Sequence, residues 1–530
     1  MPKMNPNPSV PRRIIRRSDL TVNYEGGLAF TATPKTELVL RILTFLVGEP
    51  KFYGDTVTEI EEIQQLIEDV ACEDPEFILK LAAYARNEMY LRSAPIFLLV
   101  EAVQYDNVKP FVRKYVPQIV RRADELTETI AYFVAKHGEI GKNGKASLPN
   151  CLKKGLADAL HNFDEYQFAK YAREDKEVKL RDVIRLVHPV PFNQEESLLF
   201  KHIKERTLAT PETWETEISG KGSTKEAWES IIPKMGYMAK LRNLRNFLKV
   251  GVDMTPVVKH LTNPTAVKNS KQFPFRFLSA TKVLQGNESG NPFDRTKLIE
   301  ALSVALELSV ENIPKWKGRT FVSCDNSSSM RRTLSEKSSV QRIEVGAIMG
   351  ALAQKISGCG VASVFGEGFA IVPVDPTGAI TPNAFQIMNT NVGHSTYAYK
   401  ALKYLIDKKI VVDRILIFSD EQCYNEGYTT PYGRDEDFVN NTLYAQLKLY
   451  KQKVNPNVYL YSFDLAGYGS LQFPENEPNV CLLGGFSDRI FEFIQKYEEN
   501  TVTLVETITN YKIKESPKKE DMTDVKEGEQ

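Results

Sequence analysis

At 530 residues the chain is long enough for about three or four domains, or two large ones, so a lone small binding module is excluded. Lys+Arg 68 balance Asp+Glu 68 in an ordinary composition, 42% hydrophobic and 26% charged, which rules out a whole-chain polycation and an acidic solvating protein. The zero is only a sum, because nucleic-acid footprints are local features of a surface.

In chain order, residues 1–24 are rich in Pro, Asn and Arg and are expected to form an extended arm. The arm has basic residues with no apolar core behind them, and no stretch approaches the length of a membrane span, so a cytoplasmic location is expected. From about residue 35, TELVLRILTFLVG, VTEIEEIQQLIEDVAC and PEFILKLAAYARNEMYLRSAPIFLLVEAV place apolar residues three and four apart. This rhythm continues to about residue 309 and predicts an irregular helical-repeat domain over 25–317. Near residue 318 short apolar runs (RTFVSC, VASVF, FAIVPV, RILIFS, VYLYSF) alternate with helical stretches, the pattern of a doubly wound α/β domain over 318–511. Residues 512–530 are charged and nearly devoid of large apolar side chains, and are expected to be disordered. Cys72, Cys151, Cys324, Cys359, Cys423 and Cys481 lie far apart, with neither zinc-ligand nor disulfide-framework spacing, and read as reduced thiols.

Split at the expected boundary, the charges no longer cancel. Residues 1–320 hold 47 Lys+Arg against 41 Asp+Glu, an excess of +6, and residues 321–530 hold 21 against 27, a deficit of −6. Residues 234–282 carry Lys234, Lys240, Arg242, Arg245, Lys249, Lys259, Lys268, Lys271, Arg276 and Lys282 against Asp253 alone, the most polyanion-seeking stretch in the chain. In VKLRDVIRLVHPVP, Leu180, Val183, Ile184 and Val187 form one apolar stripe, while Arg181, Arg185 and His188 share the adjacent flank. KLRNLRNFLKVG repeats the design, with Leu241, Leu244 and Leu248 inward and Arg242, Arg245 and Lys249 outward. Two such faces would bind phosphates with a salt-sensitive affinity, although any single Lys/Arg flank can equally be a solvated helix surface.

The first α/β strand runs into Asp325-Asn326-Ser327-Ser328-Ser329, a D-x-S-x-S turn whose alternate residues aim three oxygens at one point. Alone, such a turn is as well explained by helix capping. Thr396, in VGHSTYAYKAL, and Asp420, ending RILIFSD, add two further oxygens outside the strand ends, where ligands of open α/β sheets bind. Carboxylates and hydroxyls suit a hard divalent cation, Mg²⁺ above all. These elements resemble the metal-ion-dependent adhesion site of von Willebrand factor A domains, which implies ligand roles for Asp325, Ser327, Ser329, Thr396 and Asp420. The family's Gly-Gly-Thr stands here as Gly393-His394-Ser395-Thr396, which leaves Ser395 as the alternative to Thr396.

NFDEYQFAKYA, VKLRDVIRLVHP and GYMAKLRNLRNFL, followed by that domain, resemble the Ro ribonucleoprotein family, whose helical part is the TROVE module. The resemblance covers about residues 20–510. It implies a ring-like, HEAT-like α-helical solenoid followed by a doubly wound, Rossmann-like von Willebrand A domain. It also implies a basic outer surface for small noncoding Y-like RNA and a central hole for single-stranded ends of misfolded RNA, in RNA quality control or processing. By position, His188 matches the Y-RNA surface, with Lys179, Arg181 and Arg185 beside it, although His188 can instead simply end its helix. Lys153, Lys154, Arg242, Arg245 and Lys249 join that surface by charge and helix face. An exoribonuclease or another protein is a further expected partner; the chain is expected to be a monomer with no membrane association.

Catalysis finds no support in the motifs. GEIGKNGKAS resembles a phosphate loop, but Glu139 stands where the required glycine would be, and no nucleophile-elbow or zinc-protease motif occurs. The serious alternative to RNA binding is a metal-dependent protein-binding scaffold that uses the A-domain site.

Overall fold

The structure, a computed structural model, describes residues 20–44, 56–138, 140, 147–172, 175–209, 213–272, 274–286, 289–311, 313–334, 340–425, 429–430, 433–434, 440–485 and 489–513. The arm as far as residue 19, the tail from residue 514 and most of the GEIGKNGKAS loop lie outside the described residues. The chain divides into two compact units: Ile60–Gly220 with Val505–Gln530, and Met1–Glu59 with Lys221–Leu504.

The first unit is built from helices in close succession. Helix Ser93–Ala102 is apolar around its whole circumference and is buried on nearly every side, whereas Leu180–Val187 buries only Leu180, Val183, Ile184 and Val187. Helix Asn150–Leu160 packs on Lys109–Ile119 and on Leu180–Val187. Gly155 makes the first of these crossings close, since a Cβ there would lie 2.6 Å from Val116 Cγ2 and 3.2 Å from the Arg113 carbonyl oxygen. Gly155→Ala is therefore expected to destabilise the chain by about 1–3 kcal/mol through overpacking, despite alanine's better helix propensity. A lowered denaturant midpoint at unchanged m-value is the measurement that checks it.

The same unit takes in residues 505–511. Lys80 Nζ donates to the Thr509 carbonyl (2.7 Å), the rings of Tyr84 and Tyr511 meet edge to face at 5.6 Å, and Tyr511 Oη donates to Glu88 Oε1 (3.3 Å). Residues 505–511, expected to close the α/β domain, thus pack with the helices instead.

The second unit holds the strands. They are β1 (Leu20–Val22), β2 (Leu28–Thr31), β3 (Thr320–Asp325), β4 (Gly360–Phe365), β5 (Phe369–Val372), β6 (Arg414–Ser419), β7 (Thr429–Thr430), β8 (Gly433–Arg434), β9 (Tyr459–Asp464), β10 (Ser470–Leu471) and β11 (Val480–Gly484). Six form one sheet in the order β11-β9-β6-β3-β4-β5, parallel except for β5, which returns antiparallel on β4. All five strand runs read from the sequence are in it. β3 and β6 are buried along their full length, which accounts for their unbroken apolar runs. The chain leaves β3 toward β4 on one side and returns to β6 on the other, so the topological switch lies between β3 and β6.

Two expectations need correction here. The compact units do not divide at residue 318, because the last helices before the sheet are bonded to the helices that flank it. Glu307, in helix Pro292–Val310, accepts the Ile380 backbone N–H (2.6 Å) and pairs with Lys355, and Lys282 Nζ lies 2.6 Å from Glu344 Oε2. Nor does the arm extend to residue 24. Residues 20–22 are β1, paired antiparallel with β2, and β2 pairs in turn with β10. Helix Pro34–Thr44 then packs on β11, so residues 20–44 belong with the α/β domain and not with the first helices.

Candidate cation site and nucleic-acid interface

The loops after β3 and β6 diverge at the switch point; Asp325, Ser327, Ser329 and Asp420 meet beside it, and the Thr396 loop is tied to the Asp420 loop through its backbone. Asp325, Ser327, Ser329, Thr396 and Asp420 are all buried, none more than 4% exposed. Asp325 Oδ1 accepts the Ser327 backbone N–H at 2.8 Å, which curls the turn, and the hydroxyls of Ser327 and Ser329 lie 3.2 Å apart. Cys324 faces Phe418 in the β3–β6 register, which carries Asp325 to Ser419, and Ser419 Oγ donates to Asp325 Oδ2 at 2.7 Å. Asn326, the unremarked x of D-x-S-x-S, points away and ties the turn to the end of helix Ile380–Asn389. Its amide donates to the carbonyls of Ile387 (2.8 Å) and Thr390 (2.9 Å).

The Thr396 loop is joined to both neighbours. Ser328 N–H donates to the His394 carbonyl (3.2 Å), Ser328 Oγ lies 3.0 Å from His394 Nδ1, and Tyr424 N–H donates to the Thr396 carbonyl (2.7 Å). Thr396 is buried and Ser395 half-buried.

Charge at this point is unbalanced. Burial, and then the neighbouring Asp420 charge, push the Asp325 carboxyl well above the usual carboxylate range. Burial raises Asp420 too, against the opposing pull of the Ser329 hydroxyl and the Arg342 charge. Asp420 Oδ2 is buried with no hydrogen-bond partner among the described residues. Two more acids stand behind the pair. Glu421, which accepts from Ser462 Oγ and from the Gln472 backbone N–H (3.1 Å), is pushed up to about 8 by burial and then by Asp464 at the end of β9. Two carboxylates, one of them with an orphaned oxygen, and three hydroxyls form a donor set that fits a hard, oxygen-seeking cation. Among the described residues no three His, Cys, Asp or Glu side chains are grouped as a cage, so hydroxyls make up the balance of this set.

The expected nucleic-acid residues fall in both units. In the first, Lys154, Arg185 and His188 are exposed and Lys153 and Lys179 are half-buried. Arg181 is more enclosed than its helix flank suggested, with its side chain 19% exposed and its Nε 3.7 Å from Asp182 Oδ1. His188 ends helix Leu180–Val187 in the left-handed conformation (φ 50°, ψ 61°), its N–H donating to the Ile184 carbonyl (3.1 Å), so it caps the helix while its ring stays exposed. In the second unit, helix Tyr237–Val250 buries Leu241, Leu244 and Leu248 and exposes Arg242, Arg245 and Lys249.

Among the ten cations between 234 and 282, Lys282 and Lys240 each lie against a partner. Lys282 pairs with Glu344, and Lys240 is 5% exposed with Nζ 2.5 Å from His260 Nδ1. Lys240 lies one position before the apolar Leu241, at the edge of the helix's buried face, and a linear charge count has no means of separating it from its exposed neighbours. Sequence reading also missed Ser419, whose signal was its place directly before Asp420, and His394, which carried no local signal.

Cation-presenting helices together with a doubly wound sheet that gathers buried oxygen groups at its switch point define a helical-repeat protein carrying a von Willebrand A type domain. The TROVE domain family matches residues 53–207 and 201–347, more than half of the chain, and the chain belongs to that family, that of the Ro ribonucleoproteins. In fold it is similar to the Ro (RSR) protein of Deinococcus radiodurans, with a TM-score of 0.60 at 15% sequence identity over 88% of this chain and 100% of that one. Telomerase protein component 1 of Mus musculus and that of Rattus norvegicus are each 26% identical over 300 residues, covering 41% of this chain. The chain spans only 11% of the length of these curated relatives.

Proposed function

We propose that the chain binds small noncoding, Y-like RNA through the exposed cations of its helices, and single-stranded ends of misfolded RNA as well, in RNA quality control or processing. The observation that carries the reading is the two-faced helix: Leu180–Val187 buries one apolar stripe and leaves Arg185 and His188 in solvent, and Tyr237–Val250 does the same with Arg242, Arg245 and Lys249. In this reading the chain binds and positions RNA and does not catalyse. Affinity for a small structured RNA should fall steeply and linearly on a log–log plot against salt. Six to ten phosphate contacts correspond to a loss of about 10³–10⁵ between 50 and 200 mM salt. Filter-binding titrations at four salt concentrations measure the slope, and a flat line sinks the reading.

The same reading gives the A-type domain a Mg²⁺ ion, held by Asp325, Ser327, Ser329, Thr396 and Asp420. It is supported by the buried Asp420 Oδ2 without a partner among the described residues and by the rise of both carboxyls on burial. Such an ion supplies a Lewis-acidic contact for a carboxylate of a protein partner, an exoribonuclease being one class of partner. Ser419 and Asn326 hold the Asp325 turn, and Tyr424 ties the Thr396 loop to the Asp420 loop.

A further inference from the structure

Directly after Asp420 the chain runs through Glu421, Gln422 and Cys423, all buried, although no regular element contains them. A loop without its own ladder needs its backbone groups satisfied from outside. Part of that support comes from the neighbourhood of β10, where Gln472 Nε2 donates to the Glu421 carbonyl (2.7 Å) and Gln422 Nε2 donates to Ser470 Oγ (3.1 Å). The rest comes from the other end of the sequence.

Between β1 and β2 the chain turns through Asn23–Gly27. Asn23 Oδ1 accepts the N–H groups of Glu25 (3.1 Å) and Gly27 (2.9 Å), so the side chain organises its own turn. Its other amide atom is left for the metal-side loop: Asn23 Nδ2 donates to the Cys423 carbonyl at 2.6 Å. Next to it Tyr24 N–H donates to Gln422 Oε1 at 2.8 Å. Gly27 closes the fit, since a Cβ there would stand 2.1 Å from the Cys423 carbonyl oxygen. Asn23 is 6% exposed, and its bond to the Cys423 carbonyl is shielded from water.

We infer that the Asn23–Gly27 turn is a clamp that sets the position of the Asp420 loop, with Asn23 and Gly27 as positioning residues for the cation. The inference rests on the cation reading above. Its leverage comes from Tyr424, which follows the clamped Cys423 and bonds the Thr396 carbonyl. A shift of this loop therefore moves two of the five ligand residues together. Docking of the turn and cation binding are then reciprocally linked, each strengthening the other by the same factor.

The test uses the full chain and Mn²⁺ or Mg²⁺ alone, followed by calorimetry, with circular dichroism as the check on folding. Asn23→Ala and Gly27→Ala are each expected to weaken cation affinity by about tenfold, the scale of one buried hydrogen bond, in a folded chain. Independently of any variant, hydrogen exchange of the wild-type amides over 23–31 is expected to slow when Mg²⁺ is added. Unchanged affinity in folded variants, or exchange over 23–31 that ignores Mg²⁺, overturns the clamp and leaves the cation reading standing. A wild-type chain that binds neither cation overturns the cation reading, and the clamp with it.

Discussion

Lys154→Glu combined with Arg185→Glu weakens binding of a small structured RNA by more than about tenfold and lowers the log–log salt slope by about two. Both residues are exposed, and they stand on helices that pack against each other, Asn150–Leu160 and Leu180–Val187. Among the described residues neither makes an ion pair, so their charge is available to a polyanion and their reversal leaves no buried partner stranded. Stability should move by no more than about 0.5 kcal/mol, the usual range for surface changes that touch nothing else. Arg181 is the poorer choice, because its side chain is largely enclosed beside Asp182 and a glutamate there would mix a folding effect with a binding effect. Fluorescence anisotropy at several salt concentrations, with thermal melts alongside, checks both parts. Unchanged affinity in a stable double variant would remove this face from the RNA surface.

Asp325→Ala combined with Ser327→Ala abolishes Mg²⁺ and Mn²⁺ binding and leaves RNA affinity within about twofold of wild type. The two residues supply one of the two carboxylates and one of the three hydroxyls of the proposed ligand set, and Asp325 also anchors Ser419. A ligand that binds only the folded state stabilises it by RT ln(1 + [L]/Kd), about 2.7 kcal/mol at a hundred times Kd. Wild type should gain stability of that order on adding cation, and the double variant none. Asp420→Asn is the informative companion: it removes one of two repelling buried charges, so the variant should ignore Mg²⁺ without losing stability in its absence. Calorimetry and melts with and without Mg²⁺ read these outcomes. Loss of RNA binding in the folded double variant would show that the two sites are coupled.

Much of this molecule is legible from local spacing. The apolar stripe of 180–187 and that of 241–248 are buried as their three-and-four periodicity requires, and the five apolar runs after residue 318 are strands of one sheet. The D-x-S-x-S turn ends its strand at the switch point, because an unbroken apolar run followed by small polar residues has few other places in an α/β domain. β11 and the β1–β2 hairpin were missed. Strands of three to five residues show too few alternations to stand out, and β1 follows directly on a stretch that reads as an arm.

The sequence by itself determined element type, helix face and the kind of chemistry present, all of which depend on residues within a few positions of one another. Tertiary structure alone decided which distant groups meet. It set Asp325 against Ser419, buried Lys240 on His260 within a stretch that looked uniformly basic, and bonded Glu307 to a helix of the α/β domain across the expected boundary. It also placed the Asn23 amide on the Cys423 carbonyl, 400 positions away. The physical reason is common to these cases. Periodicity records which side of an element is buried, but the partner on that side is selected by packing and by the satisfaction of buried polar groups, and neither leaves a mark at fixed spacing along the chain.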